Sequence, residues 1–390
     1  MTNSSVTEAR ELPLALLVVA TASAIVVATE FIVMGLLPVL SRDFGVSLAV
    51  AGRLVGAFAL SASLLGPPLT LATARMSPRN VLIGTLLLFA TANLAVLLQP
   101  SFGTMLTVRM IQGAALPVFI GVGAEIVSRL SPPERRGRSL ARANTGFAVG
   151  VVCALPAGVA LAEGGLWTPS FVALIVFAVA AAGLVALGLP RISGNSAPRA
   201  EQAWRLVCEP RFVMHLMLSI AVFAAMFSAY TYLTAWFAER AGFSNWQIAL
   251  VLLEFGAAGL LGNAAAGRVA DQAPLSATAL AVIVVTLAAL ALSLVDAPLL
   301  RLVVIGIWGM AHTACVTLCQ VRVTLTGRSM PAFAMAMNIS AANLGIALGA
   351  LVGGWVVTRW GVNAMGWGSL ALTPVMLGLA GLLGVQGERA

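Results

Sequence analysis

Twelve runs of about 20 or more largely apolar residues occupy most of this chain, at roughly 13–40, 49–73, 80–98, 102–128, 143–162, 166–189, 213–238, 245–266, 275–295, 302–320, 331–357 and 363–386. Each is long enough to cross a ~30 Å hydrocarbon layer as a helix. Inside lipid no water serves the backbone, so every N–H and C=O must be bonded within the run, and a helix does this locally. Composition agrees: 60% of residues are hydrophobic and 9% charged, with a mean hydropathy of +1.00, where soluble domains carry about 25% charged residues. The expected fold is therefore an all-α membrane protein of twelve transmembrane helices in two six-helix bundles. The first run has no small-residue cleavage site and exceeds the length of a signal-peptide core, so it reads as a retained helix behind a short polar tail, MTNSSVTEAR.

A net charge of +8 invites a nucleic-acid reading. The basic residues are scattered between apolar runs and form no dense patch with interleaved aromatics, so no nucleic-acid partner is expected. All 22 basic residues are Arg, which excludes Schiff-base lysines and the lysine of phosphate-binding loops. Cys153, Cys315 and Cys319 sit in apolar runs and Cys208 in a polar connection; the spacing gives neither a metal cluster nor a disulfide framework. No metal and no cofactor are expected. Two distant histidines, His215 and His312, with no Ser-His-Asp arrangement argue against a membrane-embedded enzyme, and no soluble output domain marks a sensor.

Charge instead reads as topology. With both termini on one side, 16 Arg, Arg322 among them, fall in connections on that side, and only Arg42, Arg240, Arg301 and Arg359 on the other. Arg53 and Arg109 lie within runs. The asymmetry places both termini in the cytoplasm, for a multi-pass protein of a bacterial inner membrane. The longest polar connection, residues 190–212, separates residues 1–189 from residues 213–390 as two bundles joined by a cytoplasmic linker. FGVS at 44–47 recurs as AGFS at 241–244, and the Gly146/Gly150 pair recurs as Gly345/Gly349. Two six-helix halves related by a near-constant shift are the pattern of a parallel-repeat transporter.

RMIQG at 109–113, PPERRGR at 132–138 and GRVAD at 267–271, together with this architecture, resemble the major facilitator superfamily. ATEFIVMGLLP in the first run, AYTYL in the seventh, IWGMAH in the tenth and NISAANLGIALGALVGG in the eleventh are similar to its drug:proton antiporter branch, which includes bacterial sugar and arabinose efflux permeases. The resemblance implies a proton-coupled exporter of a small molecule, a sugar-like solute or a drug, working by alternating access; a proton-coupled uptake symporter is the alternative. The partners are then a small-molecule substrate, protons and the bilayer, and the protein acts as a monomer. The loop after the second helix departs from the superfamily pattern: Ala74 stands where an Asp is usual and Ser77 where a second Gly is usual, while Arg75 and Arg79 remain. The Asp survives in the second copy as Asp271, so a cytoplasmic gate would rest on Arg75, Arg79, Glu125 and Asp271.

Glu30 stands alone in VVATEFIVMG, ~25 Å along its helix and so near mid-membrane. A carboxyl there must face the bundle interior, a partner or water. A group that moves between an apolar surrounding and a nearby cation takes up and releases a proton, which is what coupling requires. Arg109, ~10 Å in from the outer end of the fourth helix, is at a comparable depth. The plainer reading of the pair is a fixed tie between two helices. Glu254, ~14 Å from the outer end of the eighth helix, is a second carboxyl for proton carriage, for a cationic substrate or for structure. Glu125, near the inner end of the fourth helix, is within reach of Arg79, Arg129 or Arg142. Tyr230 and Tyr232 point to different faces of one helix, so only one can line a cavity fully. Trp308, His312, Asn338 and Asn343 offer a stacking surface and hydrogen bonds for a solute, or simply pack. Gly146, Gly150, Pro156 and Gly158 resemble the superfamily's antiporter signature without its Gly-Pro pair; with Gly345 and Gly349 they permit close helix approach and a bend that allows rocking.

Overall fold

The computed structural model describes residues 3–73, 75–132, 136–162, 165–191, 200–269, 272–328 and 330–387. The first half contains α1 (Asn3–Asp43), α2 (Leu48–Thr73), α3 (Pro78–Leu98), α4 (Phe102–Leu130), α5 (Arg136–Leu161) and α6 (Thr168–Gly188). A short helix, α7 (Ala200–Val207), lies in the connection. The second half contains α8 (Pro210–Tyr230), α9 (Leu233–Glu239), α10 (Asn245–Val269), α11 (Pro274–Leu294), α12 (Pro298–Thr326), α13 (Pro331–Trp360) and α14 (Met365–Gly387). Among the described residues eleven spans, with α8 and α9 forming one of them, are long and apolar enough to cross a membrane. The twelfth is α5, 26 residues long with its apolar part at Thr145–Leu161.

Local sequence sets the ends. Six helices begin with Pro in their first turn, where its missing N–H costs nothing: α3, α6, α8, α11, α12 and α13. Ser101 caps α4 by accepting from the Thr104 N–H at 3.1 Å. The repeated tetrapeptides form the same turn in each half: Gly45 and Gly242 have φ of 62° and 66°, a region that side chains other than glycine's rarely adopt.

The halves share one packing plan. α1 lies on α5, α2 on α4 and α3 on α6; correspondingly α8 lies on α13, α10 on α12 and α11 on α14. Small residues allow the approach: a Cβ on Gly146 or Gly150 would strike the backbone of Ala20 or Ala24 in α1, and one on Gly345 or Gly349 the backbone of Ile220 or Ala224 in α8. The two halves meet along α2 with α13 and α5 with α10. Large apolar side chains such as Leu187 and Leu294 remain exposed, as lipid contact requires. Exposed Trp246, Trp355, Trp360 and Trp367 gather at the helix ends opposite the chain termini, at the level of a membrane interface.

At that same end the halves are sealed together. The Thr234 hydroxyl of α9 donates to the Met34 carbonyl of α1 at 2.9 Å, and the Asn245 amide donates to the Ala162 carbonyl at 2.7 Å. Tyr232 wedges between Gly52 of α2 and Gly354 of α13. Gly256 still touches Val152 midway along the α5–α10 seam. Toward the terminal end α5 and α10 expose Val149 and Leu260.

Three sequence expectations need correction. α1 begins at Asn3, so the polar tail continues the helix. The seventh span is broken at Thr231–Tyr232, where the Tyr232 N–H bonds the Ala229 carbonyl three residues back. α12 runs on to Thr326, which places Arg322 inside the bundle at 2% exposure instead of in a connecting loop.

Candidate functional site

Arg109 is the hub of the first half. From α4 its guanidinium donates to the main-chain carbonyls of Thr29 at 2.7 Å and Glu30 at 2.9 Å, and its Nε to the Leu54 carbonyl of α2 at 3.3 Å. The charge also lies 4.1 Å from the ring centre of Phe58. One buried cation therefore ties α1, α2 and α4 together through five-donor geometry that only Arg offers. The structure brings Glu30 and Arg109 together as the sequence suggests, but through the main chain of Glu30. Its carboxylate, on a residue 4% exposed, forms no salt bridge within ~4 Å among the described residues, although it feels the Arg109 charge.

Next to Glu30, Phe31 reaches the second half, 6.4 Å from Phe227 between ring centres. Phe227 opens onto a cluster built from α8, α10 and α12. Tyr230 lies 4.6 Å from His312 and 5.0 Å from Phe255, His312 is 5.3 Å from Phe227, and Phe255 meets Trp308 edge-on at 6.1 Å. His312 Nδ1 and Trp308 Nε1 are buried without a hydrogen-bond partner. Such orphaned polar atoms carry a free-energy cost that a solute offering an acceptor or donor would relieve. The wall is thus aromatic, with a few polar atoms for orientation, which is the usual make-up of a small-molecule site. Phe31, Phe227 and Phe255 escape sequence reasoning, since Phe in an apolar run carries no signal of its own; the spacing of Phe223, Phe227 and Tyr230 along one helical face is the only hint.

Other expected residues divide between this cluster and elsewhere. Tyr232 is two residues from Tyr230 yet donates to the Ala350 carbonyl at 2.9 Å in the seal. Glu254 neighbours Phe255 but turns toward Gly306 of α12; it contacts neither Glu30 nor Arg109 and forms no hydrogen bond among the described residues. Asn338 accepts from Ser219 at 2.9 Å, on the α8 side of α13. Asn343 bonds the Ile339 carbonyl of its own helix and lies one turn from Ala347, which faces Gly56 of α2. The two Asn therefore do not share a site.

Of the gate residues, Glu125 pairs with Arg129 on the same helix at 2.6 Å. Arg79 donates to the Ala186 carbonyl and so ties α3 to α6. Arg75 is exposed. Ala74 and Asp271 lie outside the described residues, as does part of the 132–138 loop. Gly158 packs against Ile32, and Pro156 lies inside α5. Among the described residues no group of His, Cys, Asp and Glu has the arrangement of a metal site.

Comparison with known proteins gives this geometry its context. A bacterial homologue of the human lysosomal transporter Spinster, in an inward-facing and occupied conformation, superposes with a TM-score of 0.79 at 15% identity, over 96% of each chain. A D-xylose–proton symporter does so with 0.72 at 16% identity, over 94% of this chain and 97% of that one. In sequence, the chloramphenicol resistance protein of Streptomyces lividans is 30% identical over 348 residues, 87% of this chain and 88% of its own length. The inner membrane transport protein YdhP of Escherichia coli (strain K12) is 28% identical over 335 residues, 85% of each chain. Residues 19–330 match the family described as Major Facilitator Superfamily. That match spans most of the chain, which therefore belongs to the major facilitator superfamily and is a membrane transporter.

Proposed function

We propose that this protein exports a small organic solute, sugar-like or drug-like, in exchange for protons by alternating access, as a monomer in a bacterial inner membrane with both termini in the cytoplasm. The observation that carries the reading is Glu30, a buried mid-span carboxyl beside the Arg109 charge with no salt bridge among the described residues, adjacent in sequence to Phe31, whose side chain touches the aromatic cluster. A solute settling on the Tyr230–His312–Phe255 wall changes the surroundings of Phe31 and hence of Glu30, so solute and proton occupancy are linked through adjacent residues of α1. The arginine asymmetry supports the orientation. In that orientation the seal lies on the periplasmic side, opposite the cytoplasm from which an exporter loads. The name of the Streptomyces relative supports export of a drug.

Purified protein in liposomes tests direction and coupling together, with chloramphenicol and arabinose as probes. Antiport accumulates solute in acid-inside vesicles; symport does so when the outside is acid. Accumulation with no dependence on the pH gradient, or only in the symport direction, would overturn the proposal.

A further inference from the structure

The stripe of α12 that carries Trp308 and His312 continues through Cys315 and Cys319 to Arg322, all buried. Opposite it, α8 presents Tyr230, Phe227, Phe223, Ser219 and His215 in the same order. Arg322 lies ~15 Å beyond His312 toward the terminal end of this seam. Its guanidinium meets His215 Nδ1 at 3.1 Å, the Cys319 sulfur at 3.3 Å and the Ser219 hydroxyl at 3.5 Å. Arg322 Nε is buried with no partner. No carboxylate pairs with this cation among the described residues: Asp296, the acid nearest to it in sequence, pairs with Arg240 and Arg301 at the opposite end of α12, and Glu209, at the N-cap of α8, is exposed. Arg211, in the first turn of α8, adds a second positive charge at the same end.

A buried cation held only by neutral groups is expensive, because it gives up water without recovering an opposite charge. Arg109 offsets that cost with three carbonyls and an aromatic face. Arg322 has a neutral imidazole nitrogen, a sulfur and a hydroxyl at the limit of bonding distance, none of them an anion. Its fork is also the geometry that receives a planar oxyanion in bidentate fashion. Partly exposed His215 gives the seam a polar opening toward the terminal end.

We infer that Arg322 is the receptor for an oxyanion, a carboxylate or phosphate, at the terminal end of the α8–α12 seam, with His215 and Ser219 as its supporting contacts. The inference deepens the transport reading: a solute carrying an acidic group docks that group on Arg322 while its apolar part extends toward Phe223 and Phe227. The same chemistry would accept the phosphate of a lipid headgroup.

Binding to the full chain in phosphatidylcholine nanodiscs tests this without any gradient, so its result is independent of whether the protein exports or couples to protons. Benzoate is the anionic probe, benzamide its neutral counterpart and inorganic phosphate the competitor. Benzoate should bind, phosphate should displace it, and benzamide should bind at least about tenfold more weakly. Arg322→Gln should lose the preference, whereas Arg322→Lys should keep part of it. Nanodiscs containing phosphatidylglycerol, analysed by native mass spectrometry, identify the lipid source: anionic lipid retained by the unmodified chain and lost in Arg322→Gln assigns the oxyanion to a headgroup. If Arg322→Gln fails to fold, competition between benzoate and phosphate on the unmodified chain still decides. Equal binding of benzoate and benzamide, or a preference unchanged in Arg322→Gln, together with no Arg322-dependent lipid, overturns the inference.

Discussion

Pro38 lies inside α1 and has no N–H, so the carbonyl of Met34, four residues earlier, loses its helical donor. Thr234, from the other half of the protein, supplies that donor at 2.9 Å with only 2% of its own surface exposed. The hydrogen bond therefore exists only while the seal is shut; when the halves part at this end, water can serve both groups. Thr234→Val preserves shape and removes the hydroxyl, which leaves a buried carbonyl unsatisfied in the sealed state alone. Such a group costs about 1–3 kcal/mol, and a bias of that size shifts a two-state population roughly 5- to 150-fold. Thr234→Ser, which keeps the donor, should stay near the parent. Distances between spin labels on the outer ends of α2 and α10, in a background with Cys153, Cys208, Cys315 and Cys319 replaced, would report the shift as growth of a longer-distance population. A Thr234→Val distribution that overlays that of Thr234→Ser would refute the argument that the proline-vacated carbonyl makes the seal sensitive to this one hydroxyl.

Glu30→Gln keeps size and polarity but cannot ionise; solute-driven proton exchange should vanish while surface expression and binding persist, and uphill transport at the parent rate would transfer the coupling role to Glu254. Arg109→Lys should destabilise the first half by about 2–4 kcal/mol, since a point charge cannot span the Thr29, Glu30 and Leu54 carbonyls as the fork does; an unaltered melting profile in detergent would count against the clamp. Gly146→Ala places a methyl against the Ala20 backbone and should cost about 1–3 kcal/mol, whereas Gly84→Ala, with open space around it, should be neutral or slightly stabilising; equal melting of the two variants would show that α1 and α5 adjust freely. Phe227→Ala removes the ring between Phe31 and His312 and should weaken solute binding by about 0.5–1.5 kcal/mol in equilibrium titration, with no loss expected for a surface change such as Leu187→Ala.

The sequence alone determined the spans, because a membrane leaves a long apolar run only one way to satisfy its backbone. It also determined the equivalence of the halves: the Gly45/Gly242 turns and the Gly146/Gly345 contacts recur because the same local chemistry is written twice. Glu30, Arg109 and His312 were visible for the opposite reason, as polar residues in apolar surroundings. What the sequence left open is which way each helix faces. In water an apolar stripe marks the buried side, but lipid is as apolar as a protein core, so the lipid-facing and bundle-facing sides of these helices read alike. Only the tertiary structure separated Tyr230 in the aromatic wall from Tyr232 in the seal, and Asn338 from Asn343. Only it gave Arg109 the main chain of Glu30 as its partner, drew Arg322 into the bundle without an acid, and set Thr234 against the carbonyl that Pro38 vacates, since each of these contacts joins residues that no periodicity along a single helix can bring together.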